Sequence, residues 1–193
     1  LKLVTAEALA EVLAFQFDYP VVQRETSLVS PEVMVAFDSR DPALDELREV
    51  RAQIQLRWLS QGDFSHKTIA VISPERGDGR TFVAANLAVA FSQTGLRTLL
   101  LDGDLRNGRI HQLFGLRNTS GLSALLSGRA FDSSVNQVQG LRDLSVISMG
   151  GEAPNPGDLL ARETLPALLH SFANTFDVVI IDTPATEVAP DAK

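Results

Sequence analysis

The stretch that decides the fold runs Thr68-Ile69-Ala70-Val71-Ile72-Ser73, then Pro74-Glu75-Arg76-Gly77-Asp78-Gly79-Arg80-Thr81. Its first six residues are a short β-branched run that reads as a buried strand, and the helical pattern of residues 81–94, closed by Gly95, begins where the glycines end. A strand, a glycine turn and a helix in that order form the junction at which phosphate cradles are built. Glycines let the backbone curl with its N–H groups inward, and the helix N-terminus adds partial positive charge. A basic side chain and a hydroxyl, here Arg80 and Thr81, complete such a cradle. The usual pattern begins with glycine five residues before its last glycine and ends Gly-Lys-Ser/Thr; here Pro74 holds the first position and Arg80 stands for the lysine.

Two downstream strand ends reinforce the reading. Residues 98–102 (Thr-Leu-Leu-Leu-Asp) predict a strand that runs into Asp102-Gly103-Asp104-Leu105-Arg106, so two carboxylates two positions apart project to one side if the chain stays extended. Residues 178–182 (Val-Val-Ile-Ile-Asp) place Asp182 at the end of another apolar strand, where an acidic group orients magnesium-bound water. Residues 144–148 predict a fourth strand and residues 165–175 a helix between the last two. Apolar strands spaced by helices imply an α/β fold, a mainly parallel sheet with helices on both faces and ligand at its carboxyl edge.

Upstream, the pattern is helical. Thr5 caps a predicted helix from Ala6 to about Phe17, ended by Pro20; Ser30-Pro31-Glu32 and Asp41-Pro42 are two further helix starts. The last of these opens a helix to about Leu59 whose apolar stripe is Leu44, Leu47, Val50, Ile54 and Trp58, with Asp45, Arg48 and Arg51 in a charged row beside it. Trp58 reads as core on this pattern. The chain thus divides into a helical extension and linker (residues 1–40) and a nucleotide-binding domain (residues 41–193).

The 193 residues, 45% hydrophobic and 21% charged, suffice for one folded domain without staples. The net charge of −7 has the wrong sign for general nucleic-acid binding, so an anion must be held by a local site. Segment 76–109 supplies one: it holds five arginines (76, 80, 97, 106, 109) against three aspartates (78, 102, 104). Arg109 taken alone reads as a solvated surface charge. The absence of cysteine removes disulfides, thiolate metal sites and thiol nucleophiles, and His66, His111 and His170 are too widely spaced for a ligand set. No apolar run is long enough to span a bilayer. Because the first residue is Leu1 rather than Met, further sequence is expected upstream.

These three motifs in this order resemble the bacterial tyrosine kinases of exopolysaccharide and capsule synthesis, within the MinD and ParA class of P-loop ATPases. Ser73 to Thr81 stands where that family carries Walker A, Leu99 to Arg106 where it carries Walker A′, and Val178 to Pro184 where it carries Walker B. Gly121-Leu122-Ser123 and Asn155-Pro156-Gly157-Asp158-Leu159-Leu160 extend the likeness, and on fewer residues, the Gly79-Arg80-Thr81 of Walker A and Leu9 to Pro20, the chain looks most like the EpsG-type chain-length-determinant kinases. The resemblance implies ATP and Mg²⁺ as cofactors. It implies phosphate contacts from Arg76, Gly77, Asp78, Gly79, Arg80, Thr81 and Arg106, metal held by Thr81, Asp102, Asp104 and Asp182, and catalysis by Asp102 as general base with Asp104 and Arg80. It further implies a ring-like homo-oligomer assembled through Asp45, Arg48 and Arg51 that phosphorylates in trans. A membrane polysaccharide co-polymerase would hold it at the inner face of the cell membrane, in the cytoplasm. The departures are Arg80 for lysine, Asp45 for the usual glutamate, and a chain that stops at Lys193 with Tyr19 as its one tyrosine. Two alternatives stay open on the residues alone: a MinD or ParA type ATPase switch, which usually carries a second lysine where this chain has Pro74 and Glu75, and an ATP-binding scaffold with little catalysis.

Overall fold

The computed structural model describes residues 20–37, 42–59, 67–129 and 134–187. The helix expected over residues 6–17, together with Tyr19 and His66, lies outside the described residues. Element order is α1 (Asp45–Arg57), β1 (Thr68–Val71), α2 (Arg80–Ser92), β2 (Thr98–Asp102), α3 (Ile110–Leu113), α4 (Leu122–Leu126), β3 (Asn136–Val138), β4 (Leu141–Ile147), α5 (Pro156–Leu160), α6 (Thr164–Thr175) and β5 (Val178–Asp182). The strands form one sheet in the order β1-β5-β2-β4-β3. β1, β5, β2 and β4 are parallel, and β3 runs antiparallel to β4 at the edge.

Residues alternate across this sheet, and the two faces bury different helices. Leu100, Val146, Val178 and Ile180 face α1, α2 and the N-terminal residues. Leu99, Leu101, Ile147 and Val179 face the layer of α4 and α6. The expected helix-covered parallel sheet is what forms.

The central element is α2. Its residues from Ala84 to Ser92 are all buried, because the sheet covers one side and α1 and residues 20–37 cover the other. Small residues, Ala84, Ala85, Ala88 and Ala90, allow close approach. Two buried amides on this helix are satisfied by backbone of residues 20–37. Asn86 Oδ1 accepts the Val35 N–H at 3.0 Å and its Nδ2 donates to Glu32 O at 2.9 Å. Gln93 Nε2 donates to Pro20 O at 2.9 Å and Val35 O at 3.0 Å. Val22, Val29, Val33 and Val35 are buried in the same core, at about 1.5–3 kcal/mol apiece. This segment forms a strap over α2.

The strap corrects one expectation. The start at Ser30-Pro31-Glu32 leads not to an α-helix but to a turn and one 3-10 turn at Met34–Ala36. Long-range bonds to Asn86 and Gln93, and from Ser30 N–H to Leu113 O at 2.7 Å, hold the backbone in another path. A second correction concerns α1: Leu44 is buried, but Val50 is 47% and Trp58 48% exposed, so Trp58 is not core. Leu47 and Ile54 of this helix pack against the core, while Val50 and Trp58 turn away from it.

Candidate nucleotide site

β1 ends at Val71, two residues before the sequence pattern predicts, and the chain then keeps company with the loop after β5. Thr183 Oγ1 donates to Val71 O at 2.8 Å, Thr186 N–H to Ser73 O and Glu187 N–H to Pro74 O, each at 3.2 Å. Proline lacks an N–H but keeps its carbonyl, so Pro74 serves as an acceptor in this extension of the pairing.

Gly77 and Gly79 have φ of +88° and +85°, in the left-handed region that favours glycine, and nothing lies within 4 Å of where a Cβ would be. Backbone conformation, not crowding, demands glycine here. Asp78 braces the turn: its Oδ2 accepts the Glu75 N–H at 3.0 Å, and a hydrogen bond from Ser73 followed by that backbone contact lowers its pKa. Gly79 caps α2, whose first residue is Arg80.

Arg80 does not face open solvent. Its Nε donates to Thr183 O at 3.0 Å, and one terminal nitrogen donates to Glu75 O at 2.6 Å and to the Ser73 hydroxyl. The guanidinium therefore ties the glycine loop to the loop after β5. Thr81 Oγ1 donates to Asp182 Oδ2 at 2.7 Å, joining the first and third motifs directly.

Two carboxylates at this edge are strongly perturbed. Asp102 is fully buried; Oδ2 accepts the Ile110 N–H at 3.1 Å, and Oδ1 has no partner. Burial first, then the charge of Asp182, pushes its pKa up to about 8. A Cβ on Gly108 would lie 2.4 Å from Asp102 Oδ1, so only glycine lets the chain fold over this carboxylate. Burial also raises Asp182 to about 6, against the hydrogen bond from Thr81, and its Oδ1 is likewise without a partner. Asp104 is half-buried, and its Oδ1 accepts the N–H groups of Arg106 at 3.0 Å and Asn107 at 2.9 Å.

A cleft of about 240 Å³ brings together Arg76, Gly77, Arg80, Thr81, Asp104 and Arg106 of the expected set. Asp78 and Gly79 shape the loop without lining it, and Asp102 and Asp182 sit beneath. Asn107, Pro184 and Ala185 line it too, without having been singled out as site residues, and so does Arg109, which taken alone reads from the sequence as a surface charge. The local arginine excess pointed to Arg109; nothing pointed to its partner Glu32. A separate cavity of about 640 Å³ lies between α4 and α5; no residue of the three phosphate-site motifs lines it, but Ser123, Asn155, Asp158 and Leu159 of the two further likeness segments do. At α1, Arg48 pairs with Asp45 at 2.9 Å within the helix, and Arg51 stands one turn on. Among the described residues, no three acidic or histidine side chains converge to hold a metal unaided. Magnesium at phosphate sites takes one or two carboxylates and the phosphates themselves, and the orphaned oxygen of Asp182 beside Thr81, with Asp104 on the cleft wall, suits that donor set. The open glycine turn and the four arginines that line the cleft suit a polyphosphate.

No family model matches the chain. Among curated proteins it is 32% identical to the tyrosine-protein kinase wzc of Salmonella typhimurium over 161 residues, 83% of this chain and 22% of that protein. It is 33% identical to the tyrosine-protein kinase YwqD of Bacillus subtilis over 149 residues, 77% of this chain and 62% of that one. It therefore spans about a fifth of the length of some relatives and under two thirds of others. Its structure superposes on the chimerical protein CapA2B2 with a TM-score of 0.76 at 30% identity, covering 95% of this chain and 78% of that chain. On the kinase domain of the Escherichia coli tyrosine kinase ETK the TM-score is 0.78 at 27% identity, covering 92% and 68%. With the motif order, the strand-end carboxylates and the sheet all in agreement, the chain belongs to the bacterial tyrosine-kinase family.

Proposed function

We propose that the chain is the nucleotide-binding part of an ATP-dependent protein-tyrosine kinase of exopolysaccharide synthesis, which phosphorylates tyrosines on a neighbouring copy. The observation that carries this is the bond from Thr81 to Asp182. It brings the hydroxyl after the glycine loop and the carboxylate at the end of β5 to one point, with Asp104 on the cleft wall and Asp102 below.

Bound Mg-ATP would supply the γ-phosphoryl group and the divalent charge that neutralises it. The chain's own residues position and neutralise. Backbone N–H groups around Gly77 and Gly79, with Arg76, Arg80 and Arg106, bind the phosphate chain. Thr81, Asp104 and Asp182 hold the metal directly or through water. Asp102 holds a proton of its own while buried, so it takes the proton of the incoming tyrosyl hydroxyl only after the loop of residues 103–109 uncovers it and it has ionised. Asp45, Arg48 and Arg51 form the face through which copies assemble, with Arg48 exchanging its partner within the helix for one on the neighbour. A membrane polysaccharide co-polymerase is the proposed partner at the inner face of the membrane. Among the described residues, no helix is long and apolar enough to cross a membrane.

One observation favours the weaker reading of an ATP-binding scaffold: the Arg80 guanidinium is engaged by three oxygens of the chain itself. Incubating the full-length protein with Mg-ATP and its membrane partner, then mapping phosphotyrosine by mass spectrometry, separates the readings. Phosphotyrosine supports the kinase. Phosphate release without it selects an ATPase switch, and bound nucleotide with neither selects the scaffold.

A further inference from the structure

Arg109 is on the wall of the phosphate cleft, yet its charge is committed elsewhere. One terminal nitrogen donates to Glu32 Oε1 at 3.0 Å and the other to Glu32 Oε2 at 2.7 Å, a two-pronged pair across 77 positions of sequence. Glu32 belongs to the strap, and its own backbone carbonyl is gripped by Asn86 of α2, the helix that begins at the glycine loop. The guanidinium also acts on the site's interior: its charge is among those that hold Asp182 down. The pair is open to water, with side chains 40% and 49% exposed. Such a pair shifts an equilibrium by no more than about fivefold. A phosphate carries more charge than a carboxylate and suits the same fork of donors.

The geometry points to Arg109 as a phosphate-binding residue of this site that Glu32 occupies until nucleotide arrives, so that nucleotide and the strap's carboxylate compete for one guanidinium. This rests on the nucleotide-binding reading and adds to it a residue and a competitor. Glu32 is then a negative control on affinity, acting through Arg109. Loading the site frees the Glu32 carboxylate while the backbone anchor at Asn86 stays, so the strap loosens locally and does not detach.

The test is a calorimetric titration of the full chain with the magnesium complex of a β,γ-methylene analogue of ATP, which binds without turnover. Glu32→Gln should tighten binding about two- to fivefold, and Arg109→Gln should weaken it about five- to tenfold. With Arg109→Gln in place, Glu32→Gln should have no further effect. The sign is diagnostic, because a merely structural Glu32 would weaken binding when replaced. Should Glu32→Gln not fold, Glu32→Asp, one methylene too short to keep both prongs, must show the same tightening. Unchanged affinity in Arg109→Gln, looser binding in Glu32→Gln, or an effect of Glu32 that persists without Arg109 each overturns the proposal while leaving the nucleotide site intact. Failure of the wild-type chain to bind the analogue overturns both.

Discussion

Replacing Asp102 by asparagine should flatten the pH dependence of stability in the nucleotide-free protein. In the native state this carboxyl is buried, accepts one N–H from Ile110, and has its pKa raised to about 8 from an ordinary 3.8. Because the folded value lies above the unfolded one, the native state keeps a proton that the unfolded chain has lost between those two pH values. That stabilisation is complete below about pH 4 and is lost as pH rises through 8. One proton corresponds to roughly 1.4 kcal/mol for each pH unit. Between pH 5 and pH 7 the wild type should therefore lose about 2–3 kcal/mol through this group. Asp182, raised to about 6, adds a similar slope only at the acid end, and it does so in both proteins. Asparagine is neutral throughout and keeps a carbonyl to accept the Ile110 N–H. Urea unfolding at pH 5, 6, 7 and 8 reads the difference directly: the variant should gain on the wild type with each step and be more stable by a few kcal/mol at pH 8, at equal m-values. Parallel curves would mean that Asp102 is ionised in the folded state, and the proton-holding pocket would have to be abandoned. If Asp102 is also the base, the same variant should lose most phosphoryl transfer.

Two further expectations concern Arg80 and α1. Arg80→Lys keeps the charge but not the three-way contact with Ser73, Glu75 and Thr183, so analogue affinity should stay within about threefold while single-turnover transfer rises; loss of both would show that the pocket is built for arginine. Replacing Arg48 and Arg51 together by alanine should shift the full-length protein towards monomer in sedimentation velocity and slow transfer, and an unchanged profile would remove that face from assembly.

Strands β2 and β5 were legible to the residue, because Thr-Leu-Leu-Leu-Asp and Val-Val-Ile-Ile-Asp are apolar runs bounded by carboxylates. β3 was not: Asn136-Gln137-Val138 is short and polar, and pairing with β4 across the Gly140 turn makes it a strand. The same physics divides the site. Glycines and strand-end carboxylates announce themselves locally, so the residues around the cleft could be named from the sequence. What those side chains touch could not, since the partners of Arg80, Thr81 and Arg109 lie up to 103 positions away. Arg80 lines the cleft, and its guanidinium also bridges two loops, which no local pattern announces. The strap's path was hidden for the same reason, being fixed by Asn86 and Gln93 rather than by any propensity of its own.

Those two amides bear on how freely this segment can vary over evolutionary time. The bonds that Asn86 and Gln93 make to the strap reach main-chain atoms of Pro20, Glu32 and Val35, and every residue but proline offers the same N–H and every residue the same carbonyl. The polar lock is thus written entirely in α2. The strap can exchange its solvent-facing side chains without changing its route, and chains with little sequence in common there can follow one path. Glu32 is less free to change, since its side chain pairs with Arg109 on the wall of the cleft.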